Sequence, residues 1–224
     1  MRRYRAAVLT LLITLAPSTL AAQTTVGISA FGGVYLPTAD LFDGVVPTQE
    51  PGNISLKFSQ STSWTVGGRL AVWPSARIGI EAEAAYVPSS VEGDILGIVD
   101  GNVIPVSGDV DANLFLGSIN LMYALIRPPL EPLLIYISGG VGLVSRSGDF
   151  YDDLQDTSDI AGVVGLGLKY GVARALWLRV DLRDYISSFN ETILSDAALT
   201  GGGSKLQNDL LIVASIELFL SPGN

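Results

Sequence analysis

Beyond its first two dozen residues, the chain alternates hydrophobic and polar positions in eight separate segments. In the first, Val26, Ile28, Ala30, Val34 and Leu36 share one parity, and Gly27, Ser29, Gly33 and Tyr35 the other. The second sets Trp64, Val66, Leu70 and Val72 against Ser63, Thr65, Gly67 and Arg69. The third sets Ile78, Ile80, Ala82, Ala84 and Tyr86 against Gly79, Glu81 and Glu83. Phe115, Ile119, Leu121, Tyr123 and Leu125 oppose Ser118 and Asn120 in the fourth. In the fifth, Leu133, Ile135, Ile137, Val141 and Leu143 oppose Tyr136, Ser138, Gly140 and Gly142. The last three repeat the pattern around Val164–Tyr170, Leu176–Arg183 and Asp209–Leu220. A period of two predicts strands with one apolar and one polar face. Each segment is close to the ~9–11 residues a tilted strand needs to cross a bilayer.

The connections have an order of their own. Tight turns are expected at Pro74-Ser75-Ala76, around Pro128-Pro129 and around Gly171-Val172-Ala173, where Pro and Gly cluster. Between them fall long loops, roughly Pro37 to Thr62, Pro88 to Asp109, Ser147 to Ser158 and Ile186 to Asn208. Short and long links alternate, which predicts an all-β, eight-stranded, antiparallel up-and-down transmembrane β-barrel with turns at one end and loops at the other. An even strand count puts both termini at the turn end, expected to be periplasmic, with the long acidic loops extracellular.

Charge and aromatic residues sharpen this picture. Arg69, Glu81, Glu83, Lys169, Arg179, Asp181, Arg183 and Glu217 all sit on the polar parity, and no charge interrupts the aliphatic face of the segments. Arg or Lys on a lipid face at mid-bilayer would cost ~2–4 kcal/mol, so the aliphatic face is assigned to lipid. Trp64, Tyr86 and Phe115 fall at the loop-end rim of that face and Tyr123 and Tyr170 at the turn-end rim. They are expected to form two aromatic girdles at the membrane interfaces. A soluble ligand-binding barrel also alternates, but it would need Lys and Glu to solvate its outer face. Here the polar face is mostly small residues.

The first residues add a compartment. Arg2, Arg3 and Arg5, an apolar run from Ala6 to Ala16, and small residues at Ala21 and Ala22 predict a signal peptide over residues 1–22, cleaved after 21 or 22. Residues 23–224 then form the barrel domain. Removing the leader takes three of the 13 basic residues and none of the 22 acidic ones, leaving a net charge of −12. That balance excludes nucleic acid, whose phosphates require a basic surface. Although 48 % of the chain is hydrophobic, no apolar stretch after the leader is long enough for a membrane helix, as expected when a lipid face is spread over alternate positions.

The chain resembles the OmpA/OmpX-type eight-stranded outer-membrane barrels. The resemblance rests on Arg77 to Ala84 (RIGIEAEA), Ser118 to Tyr123 (SINLMY) and Leu178 to Tyr185 (LRVDLRDY), and extends over nearly all of the mature chain. It implies outer-membrane lipids as surroundings, insertion by the barrel-assembly machinery, and a monomer. Two departures stand out. No peptidoglycan-binding module is expected after the barrel, and the last segment reads Leu218-Phe219-Leu220-Ser221-Pro222-Gly223-Asn224 where such barrels usually finish on an aromatic residue.

Candidate chemistry lies in the polar face. A turn centred on Ser75 would put Arg69 across from Glu81, and Arg179, Asp181 and Arg183 are expected to extend that pair, with Glu83, into a lumenal charge network. Its expected role is a structural plug, because buried charges need partners and so narrow a barrel holds little besides side chains. With no histidine and no cysteine, the usual nucleophile pairings are missing and no catalysis or cofactor is expected. Asp149, Asp152, Asp153, Asp156 and Asp159 crowd one loop, but their spacing is not that of a calcium-binding loop, so no metal is expected there. The expected role is structural or one of surface interaction. The alternative is an OmpW-like binder or conduit for small hydrophobic molecules, suggested by Leu114 and Leu116 facing inward near the loop-end rim.

Overall fold

The eight alternating segments form strands that pair into one closed ring. In ring order they are β1 (Thr25–Pro37), β12 (Ser204–Leu220), β11 (Leu176–Asn190), β10 (Ser158–Gly171), β9 (Leu133–Ser147), β8 (Asn113–Ile126), β5 (Ile78–Val87) and β4 (Ser63–Trp73). Every pairing is antiparallel, and β4 closes the ring on β1. The computed structural model of the protein describes residues 24–38, 42–47, 53–99, 102–126, 132–149, 158–190 and 204–220. The leader expected over 1–22 and the Pro128-Pro129 turn lie outside the described residues.

Two of the connections expected to be loops carry strands instead. β2 (Phe42–Pro47), β3 (Asn53–Gln60), β6 (Ser90–Val99) and β7 (Asn102–Asp111) form a second sheet in the order β2-β3-β6-β7. Gly93, Gly97, Pro105 and the scattered aspartates mask their alternation in the sequence. The reason they form is positional: β3 runs into β4 and β6 out of β5, so the β3–β6 ladder prolongs a hairpin already held in register. A serine belt joins sheet to barrel. The Ser61 amide donates to the Ser90 carbonyl at 2.8 Å, the Ala112 amide to that of Ser89 at 2.9 Å, and the Ser89 hydroxyl to the Ser61 carbonyl at 2.8 Å.

One register differs from expectation. The β4–β5 connection is the four-residue stretch 74–77, in which the Ser75 hydroxyl accepts the Ile78 amide at 3.0 Å. The pairing of Val72 with Ile80 and Leu70 with Ala82 centres the register on Ala76, so Arg69 faces Glu83 while Glu81 faces Ala71. A shift of two residues preserves parity, so all three charges still point inward.

The two faces of the wall are chemically opposite. Ile28, Leu70, Ile80, Ile119, Val141, Leu166, Val180 and Ile216 are exposed on the outside. One carboxylate breaks the aliphatic face: Asp184, half-buried near the loop end, lies across from Val164 and Leu210. Inside, large side chains are accommodated by small ones opposite. Gly167 faces Tyr136, and a Cβ there would come within 2.1 Å of the phenol ring. Among the described residues no helix is long and apolar enough to cross a membrane.

Candidate functional site in the barrel lumen

The lumen is filled in layers. Next to the turn end, Trp73, Met122, Leu134 and Tyr136 pack together with Trp177 and Phe219. Towards the loop end, Phe31, Tyr35, Val87, Leu114, Leu116, Val144, Val163, Tyr185, Leu211 and Val213 form a second buried apolar cluster. Leu114 and Leu116 thus belong to a packed layer and do not stand alone at a mouth.

Between the two clusters lies the charged layer. Glu81 is held by Arg179, whose Nη2 is 3.0 Å from Oε1, and by Arg183. Glu83 pairs with Arg69, its partner across the β4–β5 ladder, and with Arg183 Nη1 at 2.8 Å. Asp181 takes Arg69 Nη1 and Arg179 Nε, each at 2.8 Å, and the Tyr136 hydroxyl. The Tyr185 hydroxyl lies 2.9 Å from Glu83 and 3.0 Å from Ser118, which also accepts from Asn120 Nδ2 at 2.8 Å. All six charged side chains are buried. Carboxylates so enclosed are tolerable only with cations beside them, and every one here pairs with at least two.

These contacts reach across the ring. β5 and β11 stand on opposite sides of it, and Glu81 on β5 is gripped by two arginines of β11. Backbone ladders tie each strand only to its neighbours. The charged layer ties opposite walls.

A second group was not singled out in the sequence. Lys169 Nζ contacts Glu217 at 2.7 Å and sits 5.0 Å from the Trp73 ring centre, 5.5 Å from that of Tyr136 and 5.7 Å from that of Phe219. Inward parity places both charges in the lumen, but strand tilt brings β10 and β12 together across β11, which no spacing reveals. At the loop end Arg146 pairs with Asp159, and the Tyr35 hydroxyl donates to Asp209.

Trp64, Tyr86, Phe115, Tyr123 and Tyr170 are all exposed on the outer wall, with Tyr86 directly across from Phe115. Of the crowded aspartates, Asp152, Asp153 and Asp156 lie outside the described residues; Asp149 is exposed and Asp159 is taken by Arg146. Among the described residues, no group of three or more acidic, histidine or cysteine side chains is placed to hold a metal.

An eight-stranded antiparallel barrel with an aliphatic exterior and an ionised interior matches known proteins in kind. The profile of the family described as outer membrane protein beta-barrel domain matches residues 6–210. The chain belongs to that family. It is thus a small outer-membrane β-barrel protein of the bacterial envelope, with lipid around its wall, in a family that is typically non-enzymatic. Among solved structures, OprG of Pseudomonas aeruginosa is similar over 88 % of this chain and 95 % of its own, at 15 % identity and a TM-score of 0.56. Outer membrane protein W of Escherichia coli aligns over 88 % and 98 % at 13 % identity and a TM-score of 0.46. The Neisserial surface protein A aligns over 87 % and 96 % at 10 % identity and a TM-score of 0.48. No curated protein matches the chain in sequence.

Proposed function

We propose that this barrel is a closed membrane anchor whose lumen is a stabilising core, and that its role is structural or one of surface interaction, carried at the loop end. The observation that carries this reading is the unbroken stack inside the ring, a charged layer between two packed apolar ones. In the charged layer and the Lys169 group, four cations (Arg69, Lys169, Arg179, Arg183) meet four carboxylates (Glu81, Glu83, Asp181, Glu217) and neutralise one another.

On this reading residues 1–22 are a leader removed on export, residues 23–224 make the mature barrel, and the termini are periplasmic. Trp64, Tyr86, Phe115, Tyr123 and Tyr170 anchor the wall at the two interfaces, where amphipathic rings are favoured. The barrel is inserted by the assembly machinery and acts as a monomer, without metal, cofactor, nucleic acid or catalysis. The β2-β3-β6-β7 sheet and the acidic loops face the outside, where contact with other surfaces takes place. The test is conductance. The full chain and its Glu81→Ala variant, reconstituted in planar bilayers, are both expected to be closed; a large conductance in either overturns the plug.

One observation favours a second reading, an OmpW-like binder or conduit for small hydrophobic molecules. Val87 at the end of β5 belongs to the loop-end apolar layer, and Val91, four residues on in β6, is buried as well. Uptake of a radiolabelled alkane by vesicles carrying the protein, above that of empty vesicles, would favour it over the closed anchor.

A further inference from the structure

We propose that the turn-end mouth of the barrel is a binding site for a small amphiphilic anion, an organic carboxylate with an aromatic or short aliphatic body. A cavity of about 630 Å³ opens there, lined by Trp73, Trp177, Phe219, Leu134, Lys169 and Arg174 among others. That volume lies within the ~300–1,000 Å³ usual for small-molecule sites, which pair apolar walls with a few placed polar groups. The walls are flat and rigid: Trp177 and Phe219 meet edge to face with ring centres 5.6 Å apart.

The polar groups present are mostly donors. Lys169 uses its ammonium on Glu217 and on the rings around it, closing the floor of the cavity. The Trp73 indole N–H is buried without a hydrogen-bond partner, and Arg174 is exposed on the β10–β11 turn at the rim. That N–H is enclosed within the packing, so the donor a ligand in the open cavity meets is the Arg174 guanidinium at the rim. Both charged residues of the described turns, Arg77 and Arg174, are cationic, whereas most of the chain's acidic residues lie towards the loop end. The field at this mouth therefore favours an anion. A cationic ligand would find the ring faces already taken by Lys169 and would be repelled by Arg174. A purely apolar one would gain nothing from Arg174 at the rim.

The cavity contains its own reporters, since Trp73 and Trp177 line it and the third tryptophan, Trp64, is exposed on the outer wall near the opposite rim. In the Trp64→Phe variant of the full chain, folded in non-ionic detergent, tryptophan emission is titrated with 1-naphthoate and, separately, with the neutral 1-naphthamide. Saturable quenching is expected with the carboxylate and not with the amide. Adding Arg174→Glu, a change in an exposed turn that leaves the folded barrel intact, should raise the naphthoate midpoint by about tenfold or more, as loss of a charge-assisted hydrogen bond implies. Equal quenching by acid and amide, a midpoint indifferent to Arg174→Glu, or no saturable quenching overturns the proposal.

Discussion

Around Glu81 each buried charge is held by partners of opposite charge, whereas nearer the loop end Leu114, Leu116, Val144 and Leu211 are held by shape alone. Both layers fill the same lumen and exclude water from it, but they respond differently to damage. Truncating a residue of the apolar layer leaves a cavity. Truncating one of the charged layer leaves buried ions in low dielectric, each short of one partner. The charged layer also does what the apolar one does not, because each guanidinium sets the angle as well as the distance between opposite walls.

The difference can be tested by removal, beginning with the largest effect. Glu81→Ala leaves Arg179 to Asp181 and Arg183 chiefly to Glu83, each one carboxylate short, and is expected to cost about 3–5 kcal/mol, the penalty for breaking a buried ion pair from one side. Urea-dependent refolding into vesicles should show this as a lower midpoint. Should Glu81→Ala prove as stable as the parent, the charged layer would be ornamental. Leu116→Ala in the apolar layer should cost somewhat less, about 3 kcal/mol, through lost transfer energy and an unfilled cavity. A third change disturbs both packing and charge: Gly167→Ala puts a methyl against the Tyr136 ring and should cost about 1–3 kcal/mol by overpacking. In a Tyr136→Leu background the same change should cost clearly less, and an unaltered cost would mean that the clash with Tyr136 is not its origin.

The smallest expected effect is that of salt. Raising ionic strength to about 1 M shrinks the Debye length to about 3 Å but screens buried pairs little, so the stability lost by Glu81→Ala should change hardly at all. If that loss collapses in high salt, the layer is wet and the comparison fails.

The sequence by itself determined the wall. Parity along β4, β5 and β11 separates Leu70 from Arg69, Ile80 from Glu81 and Val180 from Asp181, because side chains alternate across a strand whatever surrounds it. The order of the strands followed from the tight turns between them. Which charges meet was not legible in the same way. Ser75 closes a four-residue turn, so Arg69 faces Glu83, and a shift of two leaves the hydrophobic pattern unchanged and hence invisible to it. Lys169 and Glu217 meet across an intervening strand, and Glu81 meets Arg179 across the ring, through tilt and closure that no local spacing encodes. The β2-β3-β6-β7 sheet was hidden for a related reason: its strands extend a hairpin whose register is set in the barrel below. Local chemistry decides which face of a strand meets lipid; only the closed ring decides which inward-facing side chains come within reach of one another.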